Sequence, residues 1–386
     1  MKRAIALVIF ICIMLSSCAN ETTKSPFSET PDSIIDEVRA CWVTYSELDF
    51  DDKSKSGFEN GINSLFKTAK DNGLNTLFVH VISHFDAYYN SKILPMSKYV
   101  AGKRGGKLDY DPLSIMCQTA RKYGLKIHAW INPFRIMMST NIDSLDKSDP
   151  AVQLLKTADA SVCDEGAYLV PSSEKAQNIM LSAIREVVDN YDIDGVHFDD
   201  YFYPTTDEKF DKIQFSNYKG GLPLADYRRA AVDSFVSATY RIVKSKSKNL
   251  KFGISPQANV KKNRDELYAD VEKWCQTDGY IDYIMPQLYF GFEDPRTDFK
   301  FENILKTWQS IAQKCELQIG LGLYRAGEKI DSYGVKSDEW VQHSDIIARQ
   351  IRVVRSAKLK GFAIFSCTSL IDKKAETENM RKEILS

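Results

Sequence analysis

With 386 residues, 44% of them hydrophobic, the chain can fill either one large α/β barrel or two ordinary domains. Its formal charge of −1 gives no electrostatic reason to expect nucleic acid or an anionic membrane surface as a partner. Five Trp, 19 Tyr and 20 Phe are abundant ring surface, used by default for core packing and available for stacking on sugar rings.

The N-terminus reads as a targeting segment. Lys2 and Arg3 precede an apolar run over 4–15, too short for a comfortable membrane span. The run ends Leu15-Ser16-Ser17-Cys18, which resembles a bacterial lipobox. Residues 1–17 are therefore expected to be a lipoprotein signal peptide, with Cys18 lipidated as the first residue of the mature chain. Residues 18–36, rich in Thr, Ser, Pro and Glu, are expected to be a flexible tether. Beyond Cys12 and Cys18 six cysteines remain, none in a CxxC pair, and most lie in apolar strand or helix patterns. Buried free thiols are the expectation.

From Val38 onward short apolar runs alternate with helical patterns. Expected strands are 38–45, 74–83, 125–134, 192–204, 251–257, 280–290, 317–324 and 361–367. Helical spacing follows each, over 58–72, 112–124, 174–191, 224–246, 267–277, 299–315, 337–360 and 372–385. The stretch 135–171 has weak periodicity and is too long for an ordinary connection, so it is expected to fold over the site. Strands that are near-continuous apolar runs fit a sheet covered on both faces. Eight strict alternations predict a single (β/α)8 TIM-type barrel over 37–386, preceded by the signal and the short tether. The competing doubly wound sheet wants a Gly-rich turn after the first strand, where Tyr45-Ser46-Glu47-Leu48 stands instead.

In a barrel the C-terminal strand ends share one mouth. The organising stretch is 192–204, DIDGVHFDDYFYP, in which Asp199 and Asp200 close the fourth strand. Adjacent carboxylates push their proton affinities apart, as acid–base chemistry on a glycoside requires. Asp199, pointing to the axis, is the candidate nucleophile or charge stabiliser; Asp200, Glu47 and Asp86 compete for general acid. Alternation places His128, Trp130 and Asn132 inward on strand three and His197 inward on strand four, with Arg135 just beyond. Tyr201, Tyr203, Gln287, Tyr289 and Tyr324 complete the expected sugar-binding set. His80, His84, His128 and His197 could together hold zinc, but no HxH or HExxH signature appears, and neither a metal nor an organic cofactor is expected.

Seven motifs carry a resemblance to a known family: RACWVT at 39–44, DAYYNS at 86–91, HAWINPFR at 128–135, DGVHFDDYFYP at 194–204, GISP at 253–256, DYIMPQLY at 282–289 and GFAIFS at 361–366. Through them the chain resembles the bacterial glycosyl hydrolase-like 10 family, often found as cell-envelope lipoproteins. The resemblance implies a TIM-type barrel and glycosidase activity, in some members on peptidoglycan glycan strands. By position, Asp199 and Asp200 match the family's acidic pair, and Asn132, Arg135, Gln287 and Tyr289 its mouth residues. Ile82 stands where the family tends to have an arginine. The strand-four ending is also similar to that of glycoside hydrolase family 18, in which a substrate acetamido group assists. The expectation is thus a lipid-anchored, monomeric glycoside hydrolase of the cell envelope. It acts on a polysaccharide, with no nucleic-acid partner and membrane contact through its lipid only. A non-catalytic glycan-binding lipoprotein and a metal-dependent hydrolase or deacetylase are the alternatives.

Overall fold

A computed structural model describes residues 37–332 and 335–386. The expected signal peptide, the tether and Cys18 lie outside the described residues. Eight parallel strands close into a barrel: β1 (Val38–Val43), β2 (Thr76–Ile82), β3 (Lys126–Ile131), β4 (Gly195–Phe198), β5 (Lys251–Ile254), β6 (Tyr283–Ile284), β7 (Glu316–Leu321) and β8 (Gly361–Ile364). Each strand pairs with its sequence neighbours, and β1 closes the ring on β8 in the register Val38↔Gly361 to Cys41↔Ile364. Outside it lie α1 (Lys55–Asp71), α2 (Pro112–Lys122), α3 (Glu174–Asn190), α4 (Leu224–Lys246), α5 (Val271–Gln276), α6 (Phe301–Ile311), α7 (Ile346–Ser356) and α8 (Lys374–Leu385).

Local chemistry sets these helix ends. Ser54, Asp111 and Ser173 cap α1, α2 and α3 by accepting the Gly57, Ser114 and Ala176 N–H groups, each at 3.1 Å. Such caps contribute about 1 kcal/mol apiece. Pro112 opens α2, where its missing N–H costs nothing. Gly73 and Gly124 follow α1 and α2 in the left-handed region, with φ of 80° and 62°.

Two apolar layers result. The larger one packs the helices on the outside of the sheet; Ile127, Ala129 and Ile131 belong to it. The smaller fills the barrel, with Ala40, Trp42, Phe78, Trp130, Tyr283, Met285 and Ala363. Gly253 makes room for one of these rings, since a Cβ there would stand 2.3 Å from Tyr283. All six cysteines of the described residues are free, and Cys41, Cys117, Cys275 and Cys367 are buried.

The structure departs from the periodicity in three places. The 135–171 excursion builds its own antiparallel sheet from Arg135–Met137, Gly166–Leu169 and Ala160–Cys163, plus a helix at Pro150–Lys156. Strands of three or four residues give too few repeats to be read. The run 280–290 pairs regularly only at Tyr283–Ile284, because Pro286 has no N–H to offer; pairing resumes as single bridges at Gln287. The expected helix 337–360 is split into Glu339–Gln342 and α7, and a hairpin of Ile330–Ser332 with Val335–Ser337 precedes it. No helix among the described residues is long and apolar enough to cross a membrane.

Candidate active site

A cavity of ≈ 380 Å³ opens at the C-terminal ends of the strands. Tyr45 and Glu47 line it after β1, Trp130 and Arg135 from β3 and its extension, and Asp199, Asp200 and Tyr201 after β4. Gln287 and Tyr289 follow β6, and Phe365, Ser366 and Thr368 follow β8. Asp199 and Asp200 are each only 7% exposed.

The Asp199 carboxyl is surrounded by donors. Oδ1 accepts the Asp200 N–H at 2.8 Å and Gln287 Nε2 at 3.2 Å. Oδ2 faces the Asn132 amide nitrogen at 3.2 Å, while the Asn132 oxygen takes the Arg135 guanidinium. His80 supports that orientation. Its Nδ1 accepts the Tyr45 N–H at 3.0 Å, so the neutral ring carries its proton on Nε2, 3.3 Å from the Asn132 amide. His80 is held neutral by burial, then by the Arg135 charge.

Burial pushes the Asp199 carboxyl well above the usual carboxylate range, and the Asp200 charge adds to it. The Asp200 N–H and the Arg135 cation pull the other way. Burial wins because the donors are neutral dipoles and Arg135 is shared with Asn132 and with the Ser83 carbonyl, 3.2 Å from Nε. No N–H among the described residues reaches the Asp200 carboxylate, so its near neighbour is the Asp199 carboxyl itself. The two carboxyls thus stand side by side in the cavity wall, with the Asp199 one favoured in its protonated form.

Arg135 is 4% exposed and lies over the Tyr201 ring at 4.7 Å and the Tyr45 ring at 5.7 Å. It fixes the inner face of Tyr201 while 41% of that residue stays exposed. The Asp199 charge, then burial, raises the Tyr201 hydroxyl above its ordinary value, and burial does the same for Tyr289. Both therefore remain hydrogen-bond donors.

With this site in view, the chain can be set beside known proteins: the family description "Glycosyl hydrolase-like 10" matches residues 37–342. The chain belongs to the glycosyl hydrolase-like 10 family. Membership gives it a glycosidase-type function. Among curated members, glycosyl hydrolase YngK of Bacillus subtilis is 33% identical over 373 residues, 86% of this chain and 69% of that one. Glycosyl hydrolase DigH of Escherichia coli K12 is 29% identical over 372 residues, 84% of each. In fold, the chain resembles the glycoside hydrolase domain of PgaB (BpsB) from Bordetella bronchiseptica, with a TM-score of 0.61 at 12% identity over 90% of this chain and 99% of that one. The catalytic domain of β-amylase from Paenibacillus polymyxa gives 0.55 at 10% identity, over 91% and 98%.

Within this glycosyl hydrolase-like 10 barrel, several expected site residues stand elsewhere than at the cavity. Glu47 is in its wall, but both oxygens are taken: Oε2 by the Thr44 N–H at 2.6 Å, Oε1 by the Thr368 N–H at 2.6 Å and the Ser366 hydroxyl at 2.9 Å. It ties the β1 loop to the β8 loop and has no oxygen spare for acid catalysis. Asp86 is a similar brace outside the cavity lining, its Oδ1 accepting the Ser83 and His84 N–H groups at 3.3 and 2.8 Å.

His128 and His197 point inward as alternation requires, yet sit below the floor. Trp42 Nε1 donates to His197 Nε2 at 3.1 Å, so His197 donates from Nδ1 to the Tyr283 hydroxyl at 2.9 Å. Tyr283 in turn donates to His128 Nδ1 at 3.0 Å. Burial lowers the His128 ring to about 4 and holds His197 well below its usual value, so both are neutral struts. Tyr203 is fully buried behind the β4 loop, and Tyr324 packs edge-on behind Tyr289, ring centroids 5.7 Å apart. Among the cavity residues that sequence reasoning did not single out are Met138, Phe365, Ser366 and Thr368; the GFAIFS motif ends on Phe365 and Ser366. Among the described residues no three His, Cys, Asp or Glu side chains gather as a metal ion would need.

Proposed function

We propose that this protein hydrolyses an N-acetylated polysaccharide of the bacterial envelope, peptidoglycan glycan strands foremost, with Asp199 as general acid and Asp200 as the ionised partner. The observation that carries the reading is the pair of adjacent, buried carboxyls lining an aromatic-walled cavity. Because burial raises the proton affinity of Asp199, the reading moves it from nucleophile to acid. The Asp199 proton goes to the glycosidic oxygen as the bond from that oxygen to the sugar C1 breaks. The Asp200 carboxylate, reached by no N–H among the described residues, is left to receive the substrate acetamido N–H. That contact turns the acetamido oxygen toward C1, where it forms the new bond; water then opens the cyclic intermediate and leaves a reducing end. Tyr289, Gln287 and Tyr201 supply polar and ring contacts to the sugar.

Product analysis tests this. Incubation with purified peptidoglycan should yield new reducing ends, and a de-N-acetylated counterpart should be cut about 10⁴-fold more slowly, the loss expected when a site's paired polar group is left without its partner. A chelator should change neither rate. Equal cleavage of the two polymers would remove the acetamido role, and anhydro ends would mean lytic cleavage instead.

The lipobox-like Leu15–Cys18 segment supports an envelope location through a lipid on Cys18, the domain acting there as a monomer. A Cys18→Ala chain is expected to leave the membrane fraction; its continued retention there would count against the anchor.

A further inference from the structure

A second cleft, of ≈ 970 Å³ against ≈ 380 Å³ for the catalytic cavity, shares no lining residue with it. One wall is the β4–α4 connection, whose short helix Lys212–Asn217 leads to Tyr218. The Tyr218 ring lies 4.7 Å from that of Tyr227 on the first turn of α4. The opposite wall is α3, which presents Lys175, Asn178 and Ser182 to solvent at the i, i+3, i+7 spacing of one helix face. Ile213, 56% exposed, stands at its edge. Half-buried rings and an exposed aliphatic residue gathered in one recess mark an interaction site more often than a plain surface does.

We infer that this cleft holds a remote stretch of the polysaccharide chain whose cleavage is proposed above; the inference rests on that reading. Two features select a glycan. The lining combines phenol ring faces with amides and hydroxyls, the pairing that suits C–H faces and hydroxyls of sugars. The loops that build it also build the catalytic mouth: the β3 excursion supplies Arg135 and Met138 to the mouth and Thr157 and Asp159 to the cleft, and the β4 connection supplies Tyr201 to one and Tyr218 to the other. A polymer leaving the mouth over these loops meets the cleft without leaving the protein.

The test uses the detergent-purified full chain carrying Asp199→Asn, which cannot consume its ligand, with purified peptidoglycan and chitin as insoluble probes. Adding Tyr218→Ala and Tyr227→Ala together is expected to lower retention on at least one polymer about tenfold, the size of a lost ring contact or two. Without Asp199→Asn, the same double variant should lose rate on polymer relative to short oligosaccharides. Ser182→Trp, which fills the cleft from an exposed helix position, should act alike and covers the case of a double variant that does not fold. Equal retention of parent and cleft variants on both polymers would overturn the inference, as would failure of the parent to bind either. Hydrolysis surviving Asp199→Asn would instead overturn the catalytic reading and leave the retention result standing.

Discussion

Asp199→Asn is expected to lower kcat by about 10³–10⁴-fold with little change in KM or melting temperature. The amide has the shape of the carboxyl and can still accept from the Asp200 N–H and Gln287, which hold Oδ1 at 2.8 and 3.2 Å. What it lacks is the proton to give. With Asp199 as the proposed general acid, activity in the parent should be present below its raised pKa and be lost as pH rises through it. The second cause of that rise is the Asp200 charge. Asp200→Asn should therefore lower the Asp199 pKa and move the alkaline limb of the residual activity to lower pH. A pH–rate profile measures both outcomes. An active Asp199→Asn enzyme, or an alkaline limb unmoved in Asp200→Asn, would be incompatible with Asp199 as the general acid.

The second large effect lies behind the same loop. Arg228 on α4 and Asp211 in the β4–α4 connection are both 0% exposed and form a bidentate pair, Nη2 to Oδ1 at 2.6 Å and Nε to Oδ2 at 3.0 Å. Arg228 also donates to the Tyr268 hydroxyl and to the Thr206 and Asp207 carbonyls, and Asp211 accepts the Tyr203 hydroxyl at 3.0 Å. Arg228→Met should cost about 3–5 kcal/mol, because it strands a carboxylate in the interior and frees two carbonyls. Thermal unfolding should show a drop in melting temperature of several degrees or more. Activity should fall with it, since residues 201–211 lead directly out of the acidic pair. Arg228→Met with Asp211→Leu should regain part of the loss by removing the stranded charge. An unchanged melting temperature in the single variant would show that the pair does not hold the loop.

The eight-fold alternation is legible because each barrel strand is covered on both faces and each helix has one buried stripe. Direction is legible as well: Asn132 and Asp199 point to the axis as period-two alternation dictates. Height along the axis is not. His128 and Asn132 face the same way, but one is a strut beneath the floor and the other touches the Asp199 carboxyl. Occupancy is equally hidden. Glu47 reads as a free acid until the Thr368 N–H, 321 positions away, is seen to bind it. The Arg228–Asp211 pair joins a loop to a helix with no periodic signal at either residue, and neither was singled out.

The chain from Trp42 through His197 and Tyr283 to His128 makes the inside of the barrel a sequence of single-proton commitments: Trp42 gives, His197 and Tyr283 each receive and give, and His128 receives. A substitution at any one position reverses or strands its neighbours, so such a foundation tolerates little drift. Diversification of sugar preference on this scaffold, by natural variation or in the laboratory, is thereby channelled to the rim, where the exposed Met138 and Tyr201 stand outside that proton chain and can be exchanged one at a time.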